Sequence, residues 1–183
     1  MGKKGSFIFW VSIILAVLLI IIAFLYFALF KPQTSGGKSV ILNNPVSGLT
    51  DEQAVVAFNE SFVIYLLYSI KAYNLHNPPL SSNYPKLEID VGGDIFSANV
   101  QKGAIYVSKN EIFEEDVIIR TTKEEAVKML RDKNYVVKSF NDGKSGIELV
   151  ASKTTLFAKG YLNMYTELTG KSITGNLIRI ASD

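Results

Sequence analysis

Few side chains in this sequence are equipped for chemistry. The 183 residues include no cysteine and one histidine, which removes thiol nucleophiles, thiolate zinc sites and disulfides and leaves little for imidazole catalysis. Gly143-Lys144-Ser145 and Gly170-Lys171-Ser172 resemble the end of a phosphate-binding loop, whose backbone N–H groups cradle phosphates while its lysine reaches them. That loop needs another glycine five positions before the Gly-Lys pair, where this chain has Lys138 and Tyr165. Both therefore read as turn glycines beside solvated lysines. Glu114-Glu115-Asp116 offers hard oxygens to calcium, but three consecutive carboxylates do not converge as a dedicated loop does, and a solvated acidic turn is expected. His76, between Leu75 and Asn77-Pro78-Pro79, has no serine or carboxylate partner at a defined spacing and reads as a surface loop residue. Asn59-Glu60-Ser61 has the form of an N-glycosylation acceptor, yet it falls inside a predicted helix, where a bulky glycan competes with packing. No catalytic residue, metal site or cofactor is expected.

Charge narrows the partners further. Of 19 basic and 17 acidic residues, only Lys3, Lys4, Lys31 and Lys38 fall in the first 49 positions, so the net +2 belongs to that flank and the remainder is slightly acidic. A domain with scattered basic residues and an acidic balance lacks the footprint needed to neutralise a phosphate backbone, so no nucleic-acid partner is expected.

The elements that must carry any site begin with Phe7–Phe30, 24 residues without a charge. At about 1.5 Å per residue such a helix reaches roughly 36 Å, slightly more than a ~30 Å hydrocarbon core. Trp10 lies near one end and Tyr26 with Phe27 near the other, as interfacial rings prefer. The segment is too long for a cleaved signal core and lacks a small-residue cleavage pattern, so a permanent single-pass signal anchor is expected after a short flank over 1–6. Residues 31–49, rich in Pro, Gly, Ser and Asn, read as a flexible linker, and the domain occupies 50–183. The small lysine bias predicts an extracytoplasmic C-terminal domain.

Within that domain, Thr50 and Gln53 have the spacing of a capping box, and a helix is predicted from there to about Tyr73. Its centre, Phe62-Val63-Ile64-Tyr65-Leu66-Leu67-Tyr68, is apolar all round, so burying one face does not suffice. After a Pro-rich passage the period becomes strand-like in Leu87–Val91, Ile95–Val100, Ala104–Val107 and Asp116–Arg120. The tight turns at Gly92-Gly93 and Lys102-Gly103 favour an antiparallel meander. Thr121 or Thr122 caps a short helix, Ile147–Val150 is a fifth strand, and a last helix from Lys153 to Leu168 aligns Phe157, Tyr161 and Tyr165 before a stop at Gly170. The apolar stretch Ile173–Ile180 reads as an edge strand or an arm on a partner.

This order resembles the sterol carrier protein 2 (SCP2) family. The resemblance is carried by Phe96–Val107, a strand–Gly–strand unit, by Asp116–Glu125, in which an aspartate, an isoleucine, a threonine and a glutamate lead into a helix, and by Gly143–Leu149, a Gly-Lys strand before the last helix. It covers about Leu49 to Gly170 and implies an α+β fold, a mainly antiparallel five-stranded sheet covered by helices. It also implies an apolar or lipid ligand held between sheet and helices, without catalysis. The tether, and an end in Ala181-Ser182-Asp183 where many members carry a peroxisomal signal, depart from the family. The expected function is a membrane-anchored, non-catalytic lipid-binding protein, with Phe58, Phe62, Leu66, Ile70, Phe157 and Tyr161 lining the ligand site. The alternative is a membrane-anchored interaction or structural subunit of a larger membrane complex, whose apolar helix is covered by side chains or by a membrane protein partner.

Overall fold

A computed structural model describes residues 3–30, 42–78 and 81–171. The chain divides into two units, Met1–Thr34 and Ser35–Asp183. The first holds α1, Lys3–Phe30, 28 residues long. Side chains of α1 are described at 9–10 and 12–25, all of them exposed. Among the described residues no helix is long and apolar enough to cross a membrane, and the span expected over 7–30 exceeds that side-chain-described stretch. Most of the expected linker also lies outside the described residues. At its end Val46 is buried in the core, and Asn44 Nδ2 donates to Leu130 O at 3.0 Å.

The second unit opens with α2, Asp51–Val56, started by the capping box expected of Thr50 and Gln53. Gln53 N donates to Thr50 Oγ1 at 3.3 Å, and Thr50 N to Gln53 Oε1 at 2.9 Å. The single helix predicted to Tyr73 is corrected here, because the chain breaks at Ala57–Asn59 and restarts as α3, Glu60–Ser69. Asn59 causes the break: its short side chain offers the backbone a competing acceptor, and Oδ1 takes the Ser61 N–H at 2.9 Å as an N-cap. A 3-10 turn over Ala72–Asn74 follows α3.

Five strands form one sheet: β1 Lys86–Val91, β2 Asp94–Gln101, β3 Ala104–Ser108, β4 Val117–Thr121 and β5 Gly146–Leu149, in the order β3-β2-β1-β4-β5. Three pairings are antiparallel, but β1 and β4 run parallel, with Leu87 opposite Val117 and Val91 opposite Thr121. The sheet is therefore mixed and the meander is a correction. Parallel neighbours need a long connection, and the intervening β2–β3 hairpin supplies it. Val117, Ile118 and Ile119 are all buried, so β4 is covered on both faces, and it pairs with β1 along one edge and with β5 along the other.

On β1 the alternation is regular: Leu87, Ile89 and Val91 are fully buried, while Lys86, Glu88 and Asp90 are only partly covered. The core continues into Phe62, Val63, Leu66 and Leu67 of α3 and into α4, Lys123–Arg131, capped by Thr122. A further helix, α5, covers Lys133–Asn141 between α4 and β5, with Asp132 as its N-cap. The last predicted helix is also two, α6 Lys153–Ala158 and α7 Tyr161–Thr169, separated by Gly160 at φ +84°. Gly170 ends α7 in the left-handed region, as its position suggested. The stretch Ile173–Ile180 lies outside the described residues.

Candidate functional site

Phe58, Phe62, Leu66 and Ile70 are all buried in the core cluster. Phe58 and Phe62 are brought together, with ring centroids 5.0 Å apart, and Phe58 meets the edge of Phe96 on β2 at 6.2 Å. The other two expected lining residues do not share a face with each other. Gly160 breaks the helical spacing between them, leaving Phe157 57% exposed on α6 and Tyr161 buried at the start of α7. Among the described residues, Phe58, Phe62, Leu66 and Ile70 therefore pack within the core, Phe157 faces outward and Tyr161 is buried.

A shallow cleft of about 30 Å³, partly open to solvent, lies where the end of α3 and the 3-10 turn approach α7. Ile70, Leu75 and Met164 contribute its apolar wall, and the Lys71–Glu167 ion pair, 2.7 Å apart, stands at its polar side. Ile70 is the one expected site residue that reaches it. The volume falls below the ~300–1,000 Å³ of drug-sized sites.

The chemically dense part of the domain is elsewhere. Asp116, expected in a solvated acidic turn, is 4% exposed, and Lys159 is 0% exposed. Lys159 Nζ donates to Asp116 Oδ1 and Oδ2 at 2.9 and 2.8 Å and to Asn83 Oδ1 and Tyr84 O at 3.1 and 3.0 Å. The Lys86 N–H and the Tyr161 hydroxyl donate to Asp116 Oδ2 at 2.8 and 2.9 Å. Burial, and then the Asp116 charge, push the Tyr161 phenol well above its ordinary range, so it stays a neutral donor. Glu114 alone of the trio fits the solvated reading fully.

A second buried network centres on Glu125. Its carboxylate receives Lys128 Nζ at 2.8 Å, the Tyr135 hydroxyl at 2.9 Å and Ser139 Oγ at 3.0 Å. Burial raises its pKa, but those three donors outweigh it and hold the carboxyl below its ordinary value. Behind Ser139, hydroxyl contacts continue through Ser145 Oγ at 2.9 Å to Thr121 Oγ1 at 2.7 Å. Ser145 is thereby a buried structural hydroxyl beside the exposed Lys144, and Gly143, at φ +70°, makes the turn. None of Asp116, Lys159, Tyr161 or Glu125 lines the cleft. Among the described residues no group of three or more His, Asp or Glu side chains converges as metal ligands. His76 is half-buried, with its ring against Gly160 and Nδ1 3.1 Å from Asn77 O.

Sequence reasoning missed the Asp116–Lys159–Tyr161 centre. Its one legible signal was a lysine interrupting the apolar spacing between Phe157 and Tyr161. What that lysine meets is 43 residues away in sequence.

No protein-family model matches the chain, and no curated protein does. Solved structures with some likeness include the ubiquinone synthesis protein UbiJ-SCP2, at 12% identity over 62% of this chain and 90% of that one, TM-score 0.34. A sterol carrier protein 2 like 2 from Aedes aegypti shows 15% identity over 61% and 96%, TM-score 0.34. The inverting sec-alkylsulfatase Pisa1 from Pseudomonas sp. shows 8% identity over 58% of this chain, TM-score 0.33, and the match spans 14% of that enzyme's length. These likenesses assign neither family nor ligand.

Proposed function

We propose that this chain is a single-pass membrane protein that binds rather than catalyses, and that its α+β domain, held outside the cytoplasm, is an interaction subunit of a larger membrane complex. One observation carries the choice over a lipid carrier: the apolar side chains of α3 are already covered from within, while large apolar side chains elsewhere are not. Phe113 is 85% exposed, and Val150 and Phe157 are also exposed. All three are tethered close to the buried aspartate. Phe113 lies three residues before Asp116, Val150 N donates to Asp116 O at 3.0 Å, and Phe157 lies two residues before Lys159. Exposed aromatic and aliphatic side chains on segments tied to the Asp116–Lys159 pair suit a protein partner. The uncharged Phe7–Phe30 sequence supports the anchor.

A second reading, an apolar ligand, is favoured by the apolar wall of the cleft at Ile70, Leu75 and Met164. Replacing Leu66 by Trp separates the two. In a filled core the larger ring overpacks, costing about 1–3 kcal/mol and lowering the melting temperature by several degrees. In a ligand-bearing domain the ring occupies free space, so co-purifying lipid is lost while the unliganded melting temperature hardly moves. Phe113→Ser with Phe157→Ser tests the interaction surface directly. Cross-linking in membranes should lose its adducts in that variant, with thermal stability unchanged; retained adducts would rule that surface out.

A further inference from the structure

The break between α2 and α3 places Asn59, of the acceptor-like sequence Asn59-Glu60-Ser61, at the N-cap of α3 and not in a helix interior. Asn59 is exposed, with extended backbone at φ −152°, ψ −171°. Its two side-chain hydrogen bonds, from Ser61 N at 2.9 Å and Ser61 Oγ at 2.6 Å, are both accepted by Oδ1. The Nδ2 atom takes no part in the cap. Three residues earlier, Val56 is 88% exposed, and Ala57 beside it is exposed as well.

We propose that Asn59 is an N-linked glycosylation site whose glycan also shields the apolar surface at Val56 and Ala57. The donor class is an oligosaccharide linked through pyrophosphate to a lipid. The sugar C1–O bond to pyrophosphate breaks, a C1–Nδ2 bond forms, and the amide proton leaves with the lipid pyrophosphate. Substitution at Nδ2 leaves Oδ1 free to cap α3, so the folded domain accommodates the product. The hydroxyl two residues on, which the acceptor pattern requires, is supplied by Ser61.

This inference rests on the extracytoplasmic reading of the domain, and the experiment keeps the two separable. The full chain is expressed in eukaryotic cells with an active secretory pathway, alongside N59Q, S61A, S61T and K153N. The K153N change completes an acceptor sequence with Thr154 and Thr155 on the exposed first turn of α6. Peptide mass spectrometry before and after enzymatic glycan release should find a glycan on Asn59 in the parent and in S61T. In S61A, which keeps the backbone cap bond, and in N59Q it should be absent. A glycan at position 153 with none at Asn59 would overturn the site and leave the topology standing. Modification at neither position would overturn the proposal together with the extracytoplasmic reading.

Discussion

Lys159 is the residue on which the interior charge balance turns. Breaking a buried pair strands the remaining charge and costs about 3–5 kcal/mol, so Lys159→Met should lower stability by that order in urea unfolding. Adding Asp116→Asn to that background should restore part of it by removing the orphaned charge. A Lys159→Met loss below about 1 kcal/mol would mean that the pair contributes little. At the surface, Asp94 sits between Lys109 at 2.8 Å and Lys123 at 2.6 Å, and hydrogen bonds first from Lys109 and then from Lys123 lower its pKa to about 2. A depressed carboxylate contributes stability above its unfolded value of about 3.9 and loses it as pH falls through the folded value. The difference in melting temperature between the parent and Asp94→Asn should therefore be present near pH 5 and shrink toward pH 2. A pH-independent difference would assign the effect to packing instead.

At the scale of elements, two glycines end or divide helices in the left-handed region. Gly160 is at φ +84° and Gly170 at φ +67°. An alanine costs about 1–2 kcal/mol in that conformation wherever it is placed. The surroundings differ, however: a Cβ on Gly170 would lie 3.0 Å from Val137 Cγ1, whereas one on Gly160 would find His76 Nε2 at an ordinary 3.5 Å. Gly170→Ala should accordingly destabilise more than Gly160→Ala in thermal melts, and the reverse order would show that α5 and α7 yield readily at their contact. Local rules served well for such boundaries. The Thr50–Gln53 capping box and the Gly170 stop depend on atoms within a few residues, and both stand as read. Asn59 was legible as a polar residue yet not as a cap, because a helix pattern continues through it unless Phe58 is known to turn inward to Phe96.

For the whole molecule, the anchor and its orientation are the properties to measure. A helix over 7–30 with no charge to solvate should resist alkaline carbonate extraction, and release into the supernatant would make it a peripheral segment. Protease added to intact cells should remove the domain from an extracytoplasmic face; protection until lysis would reverse the orientation.

The sequence by itself determined the α+β class, the five strands, the hairpins at Gly92-Gly93 and Lys102-Gly103, and the all-round apolar character of α3. Each follows from period, turn chemistry and composition, which act over short stretches of chain. Tertiary structure decided the rest. Strand order put β4 between β1 and β5, and no local pattern encodes which strands become its neighbours, because that pairing joins segments far apart in the chain. The same packing drew Lys159 into Asp116 and divided the last helix, so Phe157 turned outward while Tyr161 turned in. A buried charge can be stable only beside its partner, and that partner is chosen by the fold, not by the residues next to it in the chain.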